Sequence, residues 1–74
     1  MKKNGTYRKV KFTITRTGYG QYMLEAHYRG RNIKVHVTDS SLWDDIDEDV
    51  DTKRKEALRS CYRYITVEYN RIYG

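Results

Sequence analysis

The sequence predicts an α+β domain: a three-stranded antiparallel meander packed on one C-terminal helix (βββα), with a short helical turn in an acidic connector. Three observations predict it. Residues 6–38 alternate apolar and polar side chains with a period of two, in runs divided by glycine-containing turns. Residues 52–72 repeat apolar side chains at steps of three and four. Between them, residues 39–51 hold seven acids and no base.

The first strand is expected over 6–16, with Val10, Phe12 and Ile14 on one face and Lys9, Lys11, Thr13 and Thr15 on the other. Thr17-Gly18-Tyr19-Gly20 reads as a turn. The second strand, 21–29, turns Tyr22, Leu24, Ala26 and Tyr28 inward and Gln21, Met23, Glu25, His27 and Arg29 outward. Gly30-Arg31 suits a two-residue hairpin turn. The third strand, 32–38, turns Ile33, Val35 and Val37 inward and Lys34, His36 and Thr38 outward. That turn would set Tyr28 opposite Ile33, Ala26 opposite Val35 and Leu24 opposite Val37, so every inward residue meets another. On the outer face His27 would meet Lys34, and Glu25 would meet His36. The same parity requires an odd number of residues in the first hairpin loop, and three with a left-handed glycine fit.

In the connector, 39–51, Asp39-Ser40-Ser41 forms a capping cluster for a helical turn. Leu42, Trp43 and Ile46 are apolar enough to plug one end of the core. The helix, 52–72 with its cap at Asp49, Asp51 or Thr52, carries the stripe Leu58, Cys61, Tyr62, Ile65, Tyr69 and Ile72. It covers the inward face of the meander, giving two layers around one core.

Size and composition bound the function. Seventy-four residues make a single domain, 1–74, that buries only roughly 60–65% of its unfolded surface. That leaves little scaffold for a substrate cleft. Eight tyrosines compensate for a low apolar content of 38%, because each buries a ring and keeps a polar tip near water. One cysteine, Cys61, points to a reducing compartment, and cytoplasmic location is expected. Met1-Lys2-Lys3-Asn4-Gly5-Thr6 does not read as a secretory leader, and no stretch is long and apolar enough to span a bilayer.

Charge falls in blocks. Residues 1–38 hold nine Lys or Arg and one acid, a balance of +8; 39–51 carry −7; 52–74 carry +4. Patches of opposite sign steer partners. The outer sheet face holds Lys9, Lys11, Lys34, His27, His36 and Glu25, with Arg29 and Arg31 at one tip. Lys and Arg neutralise phosphates and release counterions, and a sheet surface can enter the major groove. The leading expectation is therefore nucleic-acid binding through Lys9, Lys11, Arg29, Arg31 and Lys34. In layout the chain resembles small domains that read DNA with a three-stranded sheet, such as methyl-CpG-binding domains and the arm-binding domains of phage-type integrases. The resemblance covers the order of elements and carries over no residue. A sheet exposed on one side is also commonly rich in Lys and Thr for solvation alone.

Tyr7-Arg8, Tyr28-Arg29 and Tyr62-Arg63-Tyr64 interleave rings and bases in a manner that suits single strands. Tyr7, Tyr19, Tyr64 and Tyr73 are the rings expected to be free. The alternative to nucleic acid is a protein-interaction module or inhibitor. It would dock a partner with a basic surface through Asp44, Asp45, Asp47, Glu48, Asp49 and Asp51.

Asp45, Asp47, Asp49, Asp51 and Glu56 match the oxygen spacing of an EF-hand loop, but Val50 stands where the sharp turn needs glycine. The acids serve more simply beside a helix N-terminus. His27, His36 and Glu25 could be neighbours but read as surface residues. No nucleophile–base pair, phosphate-binding glycine loop or zinc spacing is present, and Cys61 lies on the inward stripe. No enzymatic activity, metal or cofactor is expected. The open sheet edges leave both monomer and dimer available.

Overall fold

The computed structural model describes all 74 residues and has α+β architecture. Four strands, β1 (Lys2–Tyr7), β2 (Val10–Gly18), β3 (Gln21–Tyr28) and β4 (Arg31–Val37), precede helices α1 (Ser40–Asp45) and α2 (Asp51–Tyr73). The strands form one antiparallel meander in the order β1-β2-β3-β4.

The sheet thus has four strands where the periodicity predicts three. The expected strand 6–16 is broken at Arg8-Lys9, whose φ angles of 49° and 66° form a tight two-residue turn. The break frees the N-terminal residues to fold back as β1, pairing Lys2 with Thr15 and Tyr7 with Val10. The layout therefore departs from the three-stranded DNA-reading domains by one strand.

The β3–β4 turn is Arg29-Gly30, with φ of 50° and 76°, in place of Gly30-Arg31. The register moves with it: Tyr22 pairs with Val37, Leu24 with Val35, Ala26 with Ile33 and Tyr28 with Arg31. The shift is even, so the inward set is unchanged while every cross-strand partner differs. On the outer face Glu25 meets Lys34, His27 meets Asn32 and Met23 meets His36. In the β2–β3 hairpin, parity is met by a bulge between Arg16 and Gly18 followed by Tyr19-Gly20.

One core cluster of thirteen buried residues joins the layers, with Ile14, Leu24, Ile33, Leu42, Cys61 and Ile65 the most enclosed. β1 contributes its inward side through Lys3, Gly5 and Tyr7. Gly5 lies directly under the helix: a β-carbon there would stand 2.5 Å from Leu58 Cδ2 and 3.1 Å from Ile46 Cδ1. The glycine leaves room for the ends of the Leu58 and Ile46 side chains against β1.

Asp39 caps α1, its carboxylate accepting from the Ser41 amide at 3.0 Å. Leu42, Trp43 and Ile46 are buried and close one end of the core, with Trp43 stacked on Tyr22 at 5.5 Å. The cap of α2 is Val50, which offers no side-chain bond, so none of Asp49, Asp51 or Thr52 takes that place. The stripe on α2 is Ala57, Leu58, Cys61, Tyr62, Ile65 and Tyr69; Ile72 lies off it, 49% exposed. No helix is long and apolar enough to cross a membrane.

Candidate nucleic-acid interface

The outer sheet face is built from cross-strand rows. One row reads Lys2, Thr15, Met23, His36; the next Asn4, Thr13, Glu25, Lys34; beyond them Thr6 pairs with Lys11 and His27 with Asn32. Thr13 Oγ1 donates to Asn4 Oδ1 at 3.0 Å, and His27 Nδ1 lies 3.0 Å from Asn32 Oδ1. Lys11, Lys34, Thr13, His27 and Asn32 surround a shallow hollow of about 450 Å³, with Glu25 as its single carboxylate.

Of the five cations predicted to bind together, Lys11 and Lys34 stand on this face. Lys9 stands at its rim, in the β1–β2 turn. Arg29 and Arg31 do not join them. Arg31 pairs with Tyr28 and so takes the inward parity, with its guanidinium 4.7 Å from the centre of the Tyr73 ring on α2. The Arg29 guanidinium lies over Tyr28 and Tyr69 at 5.5 and 5.9 Å. The register shift is the cause: placing the turn one residue earlier puts Arg31 inside the β4 ladder on the helix side.

The two turns Arg8-Lys9 and Arg29-Gly30 share one end of the meander. There the tyrosines link in a chain: Tyr7 to Tyr62 at 5.4 Å, Tyr62 to Tyr28 at 6.1 Å, Tyr28 to Tyr69 and Tyr69 to Tyr73 at 5.2 Å each. Arg8 lies over Tyr7 and Tyr62 at 5.8 and 5.9 Å. Tyr7 and Tyr73, expected free, are therefore engaged. Tyr64 is marginally exposed. Tyr19 is free, 95% exposed, but it stands at the opposite end beside Asp44.

The chain matches no family model, no curated protein and no solved structure.

The acidic segment occupies the end opposite the two basic turns. Asp44, Asp47, Glu48, Asp49 and Asp51 are exposed and Asp45 is half-buried. Lys3 Nζ donates to Trp43 O at 2.8 Å and to Asp47 Oδ1 at 3.2 Å, and lies 4.6 Å from the Trp43 ring centre. Asp51 stands in the first turn of α2, where the helix dipole favours it. No three of His, Cys, Asp or Glu come together as metal ligands, so the acids of the EF-hand spacing do not converge. Burial, reinforced by the Asp39 carboxylate, pushes the Cys61 thiol up to about 12, which removes it as a nucleophile near neutrality.

Sequence reasoning overlooked Lys2, which β1 brings onto the outer face, and the cations Lys55 and Arg59 of α2. Four-residue spacing of Lys55, Arg59 and Arg63 was the available signal.

Proposed function

We propose that the protein is a non-enzymatic nucleic-acid-binding module whose outer sheet face, with Lys2, Lys11 and Lys34 and with Lys9 at the rim, lies against the phosphate backbone. What supports this reading is the scarcity of internal partners for its cations. Of fifteen Lys and Arg, only Lys3 and Arg71 have a carboxylate within 4.0 Å. Unpaired cations on a flat, threonine-rich face suit phosphate contacts, each of which releases counterions. The single free cysteine fits work in a reducing compartment, the cytoplasm.

The test is fluorescence anisotropy with labelled duplex DNA at low and moderate salt. Lys11→Glu with Lys34→Glu is expected to abolish binding while the far-ultraviolet circular dichroism stays unchanged. Equal affinity in variant and parent would refute the reading.

The exposed acidic end favours a second reading, a protein-interaction module or inhibitor that docks a basic surface on Asp44–Asp51. Asp45, Asp47 and Asp49 changed together to Asn would then lose the partner in a pulldown. A variant that kept it would exclude this mode.

A further inference from the structure

We propose that the trough between the β1–β2 turn and helix α2 holds the phosphodiester backbone of single-stranded nucleic acid. The inference is independent of the sheet face, since none of the trough's cations lies there.

Two neighbouring hollows of about 390 and 560 Å³ lie along this side of α2 and share Tyr7, Arg8 and Arg59 in their linings; together they make up the trough. Lys55, Arg59 and Arg63 line its helix wall. Residues four apart stand on one face of a helix and about 6 Å apart along its axis. That step is comparable with the distance between successive phosphates of an extended strand. Arg8 stands on the opposite wall, with its guanidinium held over the rings of Tyr7 and Tyr62.

The arrangement carries structural penalties, offset at Arg8 alone by its turn and its ring contacts. Like charges four residues apart destabilise a helix. Arg8 occupies the left-handed region that side chains with a β-carbon avoid. None of the four cations has a carboxylate within 4.0 Å. Glu56 is the one acid on the trough, at the Lys55 end. Four cations gathered around one groove with a single acid nearby call for an external anion.

The shape of the trough selects the ligand. The helix wall sets its three cations in a single line about 6 Å apart, which matches one backbone strand. The Tyr7 and Tyr62 rings are tilted against each other beneath Arg8 and are half-buried, so they are already engaged within the fold. The Thr66 hydroxyl is taken by the Arg63 carbonyl at 3.0 Å. Recognition therefore falls on the phosphates, with bases turned outward and little dependence on sequence.

The experiment compares the full chain with Arg59→Gln/Arg63→Gln, using a labelled oligothymidylate and a labelled duplex in anisotropy titrations across a salt series. Both arginines are exposed, so folding is expected to survive, and melting curves check it. The parent should bind oligothymidylate. The variant should lose at least about tenfold in affinity for it and about 1.4 in the slope of log K against log salt, two contacts at ~0.7 each. Duplex binding should change little. Lys11→Gln/Lys34→Gln should give the converse, so failure of one site is distinguishable from failure of the other. No binding of oligothymidylate at low salt would overturn the proposal, as would equal losses for single strand and duplex. Inorganic tripolyphosphate that outcompetes an oligothymidylate of equal charge would overturn it in favour of a free polyphosphate.

Discussion

At position 5 a single hydrogen separates a working interface from a clash. Gly5→Ala would drive a methyl group to 2.5 Å from Leu58 Cδ2, where helix and strand are already in contact. Overpacking of this kind costs roughly 1–3 kcal/mol, to be read as a lowered denaturation midpoint. Combining it with Leu58→Ala should recover part of the loss, because the two changes meet at one point and do not add. Cys61 gives a different residue-scale expectation. Its thiol, ordinarily near 9.0, is pushed up to about 12 in the fold by burial and then by Asp39. Between those values the unfolded chain has released the proton and the folded chain retains it. Stability therefore declines as pH rises through that window, by up to about 1.4 kcal/mol per pH unit. Denaturant titrations of parent and Cys61→Ala across the window check this. The slope of the difference curve should be half-developed near pH 9 and fade well below it, and a flat difference throughout would contradict it.

Elements differed in how far the sequence disclosed them. β2, β3 and β4 were legible because each buries one face, and Phe12, Ile14, Leu24, Ala26, Ile33 and Val37 mark that face at every second position. β1 was not, since its inward residues are Lys3, Gly5 and Tyr7, and only tertiary contacts make them inward. The turns at Arg8-Lys9 and Arg29-Gly30 place arginine or lysine where glycine or asparagine is usual, so the residue types hid the turn and with it the register. The basic character of the site was legible in the charge blocks. Its division between sheet face and helix side was not, because that depends on a register displaced by two. The start of α2 is a further element-scale opening. Val50 is 52% exposed and caps the helix without a side-chain hydrogen bond, ahead of Lys53-Arg54-Lys55, which the dipole disfavours. Val50→Asp should supply the missing acceptor and add about 1 kcal/mol, seen as a raised Tm.

Across the whole molecule the charges form two poles. α2 runs from the acidic connector toward the two basic turns, in a molecule whose longest extent is 34 Å. The Debye length is about 10 Å at 0.1 M salt and about 30 Å at 0.01 M. The acidic pole should therefore oppose polyanion binding at low salt and be screened at physiological salt. Asp45, Asp47 and Asp49 changed to Asn should tighten nucleic-acid binding at low ionic strength and leave it unaltered near 0.15 M. Anisotropy titrations at the two salt concentrations check it, and a gain that persisted at the higher salt would point to direct contact between ligand and acidic segment. The edges of β1 and β4 lie at the two sides of the sheet and remain open to another strand.

The placement of the aromatic side chains has a spectroscopic consequence. Trp43 is the single tryptophan, buried at the acidic pole between Tyr22 and the ammonium of Lys3. Five of the eight tyrosines form the linked chain at the other pole. Indole emission, excited at its red edge, thus reports on events near Asp44–Asp47, whereas phenol emission is weighted toward the basic turns and the trough, with Tyr19 and Tyr22 contributing from the acidic pole. An unlabelled protein carries its own pair of optical reporters, one weighted to each pole.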